Sequence, residues 1–225
     1  MTGGGGPDAK VLVVTGQTGT GKSTVCRWLA QRGAFVIDAD RVGHEVLLQP
    51  AIRDRLVEVF SPEILDEEGV IDRRALGRKV FADEAALAEL NLIVHPPLVE
   101  RVEARIQELR QSCAVELIVV DAALHFLFKR RIECDAVLLT VTGREEQLRR
   151  IMSRDGIGRE EAENRLARQA GILDHREEAE IVLDTSASCG RVRREMLLRV
   201  DAVLDLRLAR SDFPPTGLPA EDGNE

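Results

Sequence analysis

The stretch that most constrains the fold is VLVVTGQTGTGKSTVCRWLA at residues 11–30. Residues 11–14 are branched and apolar, as a strand buried on both faces requires. Val25, Trp28 and Leu29 then fall at i, i+3 and i+4, the spacing of an amphipathic helix. Between them Gly16, Gly19 and Gly21 let successive backbone N–H groups turn toward one point, at a helix N-terminus that carries partial positive charge. The spacing Gly16-x-x-x-x-Gly21-Lys22-Ser23 is that of a Walker A loop: Lys22 supplies charge for the outer phosphates and the Ser23 hydroxyl a ligand for Mg²⁺. A strand before and a helix after give this pattern the context it needs, so the chain is expected to bind a nucleotide triphosphate.

Further strand-like runs lie at 35–37, 117–120, 136–141 and 181–183, separated by helical patterns. The alternation predicts an α/β fold with a five-stranded parallel sheet flanked by helices. Ligands of such sheets bind at the carboxyl ends of the strands. The chain has 225 residues, enough for one domain but not for two motor domains. Residues 1–9 read as a flexible N-terminus, 10–208 as one domain and 209–225 as a disordered tail. Within the domain, about 41–111 lacks a comparable strand and reads as a helical insertion beside the site, and about 144–170 as a small helical lid broken at DGIG. His95 stands before a proline pair expected to open a helix.

The net charge of -8 sets the overall field against a long nucleic-acid partner and favours a small-molecule substrate. Cys26, Cys113, Cys134 and Cys189 are widely spaced and signal neither a zinc site nor a disulfide framework. The histidines have no cysteine or acidic neighbours at metal-ligand spacing. No apolar run suits a signal or membrane span, which predicts a cytoplasmic protein, monomeric or a small homo-oligomer. The sequence lacks the base-reading motif of a GTPase and the LSGGQ stretch of an ABC protein.

The strand endings supply the candidate chemistry. IDAD places Asp38 and Asp40 on one side if the chain stays extended, where either could take the proton of an acceptor hydroxyl. Asp38 is favoured, although an Asx turn or helix cap is the competing role for both. Asp121, at the end of the third strand, is placed to hold the metal. Arg150 and Arg154 are four apart on one helix, and Arg165 and Arg168 three apart on the next, so a lid could bring arginines onto the transferred phosphoryl. Surface pairing with Glu145, Glu146, Glu160 and Glu161 is their alternative role.

With the loop, VIDADRVGHEVL, EILDEEGVIDRRALGRKVF, IVHPPL and QLRRIMSRDGIGREEAENRLARQ in this order, residues 11–200 resemble the dephospho-CoA kinases, a P-loop family. The resemblance implies transfer of the γ-phosphoryl of ATP, with Mg²⁺, to the ribose 3′-hydroxyl of dephospho-CoA. It implies that Gly19, Thr20, Gly21, Lys22, Ser23 and Thr24 hold the phosphates, with Asp38 as base and Arg73, His95 and the lid arginines Arg150, Arg154 and Arg165 bordering the substrates; the strand endings and the loop add Asp40 beside the substrate and Ser23 and Asp121 at the metal. Family members carry PLLFE after the third strand, beside the acceptor; here Ala123, Leu124, His125, Phe126 and Leu127 stand there, with Leu124 and Phe126 as the acceptor contacts. Thr185 replaces an Asn of the loop associated with adenine. These departures keep open another small-molecule kinase with a changed acceptor, or a nucleotide-binding protein without transfer.

Overall fold

A computed structural model of the protein describes residues 9–80, 83–112 and 115–206. The expectations for the tail, for residues 1–8 and for Cys113 fall outside these. Ala9, placed in the flexible N-terminus by its sequence, is buried, and its carbonyl accepts from Arg110 Nε.

The strands are β1 (Lys10–Thr15), β2 (Phe35–Asp38), β3 (Leu117–Asp121), β4 (Ala136–Val141) and β5 (Ile181–Asp184). They form one parallel sheet in the order β2-β3-β1-β4-β5. Every one of these segments is branched and apolar because helices cover both faces. Val11, Val13, Ile118, Val120 and Leu139 face α2 (Ala39–Leu47) and α5 (Glu84–Ser112), while Leu12, Val14, Val119 and Leu138 face α1 (Lys22–Ala30) and α8 (Cys189–Leu204). Because β1 lies between β3 and β4, the loop after β1 emerges at the middle of the carboxyl edge, where ligands of such sheets sit.

The insertion consists of α2, α3 (Pro50–Phe60), α4 (Arg73–Val80) and α5. Leu56, Phe60, Ile64, Ile71, Leu76 and Val80 give it a small core of its own. Its DEEG run is a surface turn: Asp66 accepts from the N–H groups of Glu68 and Val70, beside a bridge pairing Leu65 with Ile71. The proline pair does not open a helix. Pro96 and Pro97 lie inside α5, a 29-residue helix that begins at Glu84. Two helical hydrogen bonds are lost there, but Leu87, Leu90 and Val94 upstream pack into the insertion core while Leu98, Val99, Val102 and Ile106 pack on the sheet. Burial on both sides of the prolines keeps the helix continuous.

The lid is α6 (Arg144–Asp155) and α7 (Arg159–Ala167), with a buried seam of Leu148, Ile151, Ala162 and Leu166. Gly156, at φ 65, ends α6 in the left-handed conformation, the break expected at DGIG. Among the described residues no helix is long and apolar enough to cross a membrane.

Leu12 sits on the central strand with 0% exposure. Leu12→Ala is expected to lower unfolding stability by about 2–5 kcal/mol, read as a lower urea midpoint at unchanged slope.

Candidate active site

The loop between β1 and α1 can take its shape only with glycine at its first position. Gly16 has φ 140, and a Cβ there would lie 2.5 Å from Thr140 Oγ1 and 2.6 Å from the Thr140 carbonyl oxygen. Behind the loop Thr20 Oγ1 donates to the Gln17 carbonyl and pairs with Thr140 Oγ1, each at 2.7 Å. Gly21, at φ 92, is the N-cap of α1, and no side chain caps that helix. The first N–H groups of α1 therefore remain available to an anion.

The loop borders a cavity of about 520 Å³ lined by Thr18, Gly19, Gly21, Lys22, Ser23, Thr24, Arg27, Asp40, Asp121, Ala123, Arg150, Arg154 and Gln169. Lys22 Nζ donates to the Gly16 carbonyl at 2.7 Å and the Gln17 carbonyl at 3.2 Å. Burial holds its pKa below the usual lysine value, against the opposing pull of Asp121 and Asp40. The same environment pushes Asp121 up, by burial and by the charges of Asp38 and Asp40, with Lys22 acting the other way. Cys26, buried on α1, hydrogen-bonds Asp121, and its thiol is pushed well up by burial and by Asp121.

The two aspartates of IDAD are not on one extended face, because the chain turns helical at Ala39. Asp38 is the N-cap of α2 and accepts from the Arg41 N–H at 3.0 Å. The strand register sets it beside Asp121, but it does not line the cavity. Asp40, in the first turn of α2, does line it. Partial burial and the neighbouring Asp38 raise its pKa.

A second recess, of about 140 Å³, lies between the sheet edge and the insertion. Its wall is mostly apolar: Leu47, Leu76, Leu90, Val94, Leu98, Leu124 and Phe128, with Asn91 and His95. Asp40 and Ala123 line both recesses. His95 packs 4.5 Å from the Phe128 ring, and burial lowers its pKa to about 4, so it is neutral at neutral pH. Phe126, expected at the acceptor, is instead buried, stacked on His175 with Arg131 over its ring. The short 3₁₀ turn at His125–Leu127 points it into the core and leaves Phe128 to face the recess. Arg73 begins α4 outside both linings, with its charge still felt at Asp40.

A third recess, about 350 Å³, is bounded by Val25, Trp28, Arg149, Arg150, Thr185, Cys189 and Val192. Thr185 donates to the Thr20 carbonyl at 2.8 Å, and Arg150 donates to Thr185 Oγ1 and its carbonyl at 3.0 and 2.9 Å. Of the lid arginines, Arg150 and Arg154 reach the phosphate cavity. Arg165 is held by Asp155 and Glu161, and Arg168 ends α7 outside that lining. Pairing with glutamate is real as well, since Arg150 also binds Glu146. Sequence reasoning missed Arg27, Trp28 and Gln169 in these walls. Arg27 and Trp28 were legible as helical neighbours of Ser23 and Thr24, whereas Gln169 carried no signal.

A family model described as dephospho-CoA kinase matches residues 10–190. The chain is 37% identical over 187 residues to a dephospho-CoA kinase of Geobacter sulfurreducens, covering 83% of this chain and 94% of the relative. It is 35% identical over 189 residues to one of Carboxydothermus hydrogenoformans, covering 83% and 91%. Among solved structures it is similar to a protein of Thermus thermophilus, 29% identical with a TM-score of 0.70 over 88% of this chain and 97% of that one. It is also similar to a dephospho-CoA kinase from Campylobacter jejuni, 26% identical with a TM-score of 0.55 over 87% and 97%.

Gly16→Ala forces its new methyl onto a backbone carbonyl of β4. The variant is expected to lose at least about tenfold in affinity for a nucleoside triphosphate, measured by titration calorimetry, because the cradle must open to admit it.

Proposed function

The chain belongs to the dephospho-CoA kinase family and phosphorylates dephospho-CoA with ATP in coenzyme A synthesis; we propose that the acceptor is the ribose 3′-hydroxyl, that Asp40 takes its proton, and that the lid supplies the closing charge. The observation that carries this reading is that Asp40 and Ala123 belong to both recesses. A hydroxyl presented from the apolar recess meets the phosphate cavity at a carboxylate. That carboxylate is not committed to a cap, which is why Asp40 is preferred to Asp38.

In this reading the N–H groups from Gly19 to Thr24 hold the donor phosphates, and Lys22 leaves its loop carbonyls to neutralise charge on the transferred phosphoryl. Arg154 joins it from α6. Arg150, fixed on Thr185, borders both the phosphates and the third recess, whose Trp28, Val25 and Val192 suit the flat apolar face of adenine. The apolar wall between insertion and sheet takes the acceptor, and neutral His95 offers it a hydrogen bond without a charge.

The residues also fit Mg²⁺. Ser23 and Asp121 present oxygen donors to the cavity, and no cluster of three or more metal-ligating side chains exists among the described residues. One carboxylate and one hydroxyl, completed by phosphates and water, is the usual arrangement for this ion. Bound there, it would neutralise phosphate charge beside Asp121, whose pKa is raised by burial and by the charges of Asp38 and Asp40 against the pull of Lys22. The reaction belongs in the cytoplasm with its nucleotide donor, on a small-molecule substrate.

Mass spectrometry of the protein with ATP, Mg²⁺ and dephospho-CoA is expected to show CoA that requires protein and acceptor, and that is lost with Lys22→Ala. ATP binding without CoA would overturn the assigned transfer. Asp40→Asn is expected to keep ATP affinity and lower kcat at least about 100-fold. Asp38→Asn keeps an oxygen that can cap α2 as the carboxylate does, so it should change stability and kcat little. The reverse pattern would return the base to Asp38. Asp40 is held above the ordinary aspartate value, so its basic form is lost early as pH falls. The acid limb of kcat/KM should therefore lie above that of an unperturbed aspartate and vanish in Asp40→Asn.

A further inference from the structure

Thr18 stands at the tip of the phosphate loop, and the lid holds each of its polar groups. Its N–H donates to Gln169 Oε1 at 2.7 Å, and its carbonyl accepts from Gln147 Nε2 at 2.7 Å. Its hydroxyl accepts from the Arg154 guanidinium at 3.2 Å. Gln147 lies in the first part of α6 and Gln169 just beyond α7, so these bonds come from the two ends of the lid. Gln17 ties the ends together: its Oε1 accepts from Gln147 Nε2 at 3.3 Å, and its Nε2 donates to the Gln169 carbonyl at 3.0 Å.

The amide orientations follow from the backbone partners. An N–H can only donate and a carbonyl can only accept, so Gln169 must present oxygen and Gln147 nitrogen. Gln17 and Gln147 are 7% and 4% exposed, which leaves little water to replace these partners. The next residue, Gly19, is pressed against the same helix: a Cβ there would lie 3.0 Å from the Gln147 carbonyl and 2.8 Å from Ile151 Cγ1. A lid that grips both the N–H and the carbonyl of one loop residue cannot shift without carrying that residue along.

We propose that Gln147 and Gln169 are positioning residues for the phosphoryl transfer, which clamp Thr18 and so fix the phosphate loop and Arg154 relative to each other. The inference rests on the transfer described under Proposed function. Neither glutamine lines the acceptor recess, so their removal acts on turnover and leaves acceptor binding in place.

The test compares Gln147→Met and Gln169→Met, which keep length and volume but lose the amide, with Gln147→Glu, which sets a carboxylate against two acceptor oxygens. Each Met variant is expected to lower kcat about tenfold, and Gln147→Glu further, with the KM for dephospho-CoA within about twofold of the parent. The double Met variant should lose less than the product of the two single losses, because both bonds act on Thr18. Thr18→Val should lower kcat severalfold through the lost Arg154 contact, and Gln147→Asn and Gln169→Asn, which keep the amide but shorten its reach, decide the question if the Met variants do not fold. Unchanged kcat with only a lowered unfolding temperature would reduce the glutamines to a structural brace and overturn the proposal. A rise in acceptor KM at unchanged kcat would do the same. CoA formation by the parent protein runs alongside: its absence would sink the assigned reaction and the clamp with it, whereas a normal parent with unaffected variants sinks the clamp alone.

Discussion

A loop that turns its N–H groups toward a ligand must have its remaining backbone groups satisfied from behind, and the rest of this structure is arranged around that demand. Buried amides and hydroxyls meet it. Thr20 and Thr140 close the loop onto β4, and Thr185 binds the Thr20 carbonyl from the loop after β5. Gln147 and Gln169 bind the carbonyl and N–H of Thr18 from the lid. These partners come from β4, from the connection between β4 and β5 that forms the lid, and from the loop after β5, so the phosphate site exists only when the sheet is complete and the lid is packed on it. The cost of an unpaired buried polar group makes this assembly cooperative.

The same edge of the sheet concentrates charge. The register pairs Asp38 with Asp121, and α2 adds Asp40 opposite Lys22. Burial and mutual repulsion raise Asp40 and Asp121, while burial lowers Lys22. Groups whose environments move their pKa values toward one another are poised for proton handling and for a cation, which is the chemistry of a kinase. The lid arginines divide the labour differently. All three are ion-paired within the lid, Arg165 with Asp155 and Glu161, Arg150 with Glu146 and Arg154 with Asp155, but only Arg150 and Arg154 also reach the loop, at the Gly19 carbonyl and the Thr18 hydroxyl.

The strands were legible because a parallel sheet covered on both faces demands unbroken branched apolar runs. The lid break was legible from DGIG, where only glycine takes the left-handed turn at residue 156 without strain. The proline pair misled because a local rule, that proline begins helices, gave way to packing on both sides of residues 96 and 97. IDAD misled because alternation assumes an extended chain, and the helix starts one residue after Asp38. Phe126 misled because a single 3₁₀ turn, which no periodicity announces, points it into the core and leaves Phe128 facing the recess.

The sequence by itself determined the phosphate loop, the five strands, the helical insertion and the lid, since each is specified by spacing within a short window. Only the tertiary structure decided which aspartate opens onto both recesses, which lid arginines reach the loop, and that Gln147 and Gln169 meet at Thr18. Those outcomes depend on strand order and on side chains brought together across more than a hundred residues, and local sequence pattern carries no information about which distant amide will satisfy a given buried peptide group.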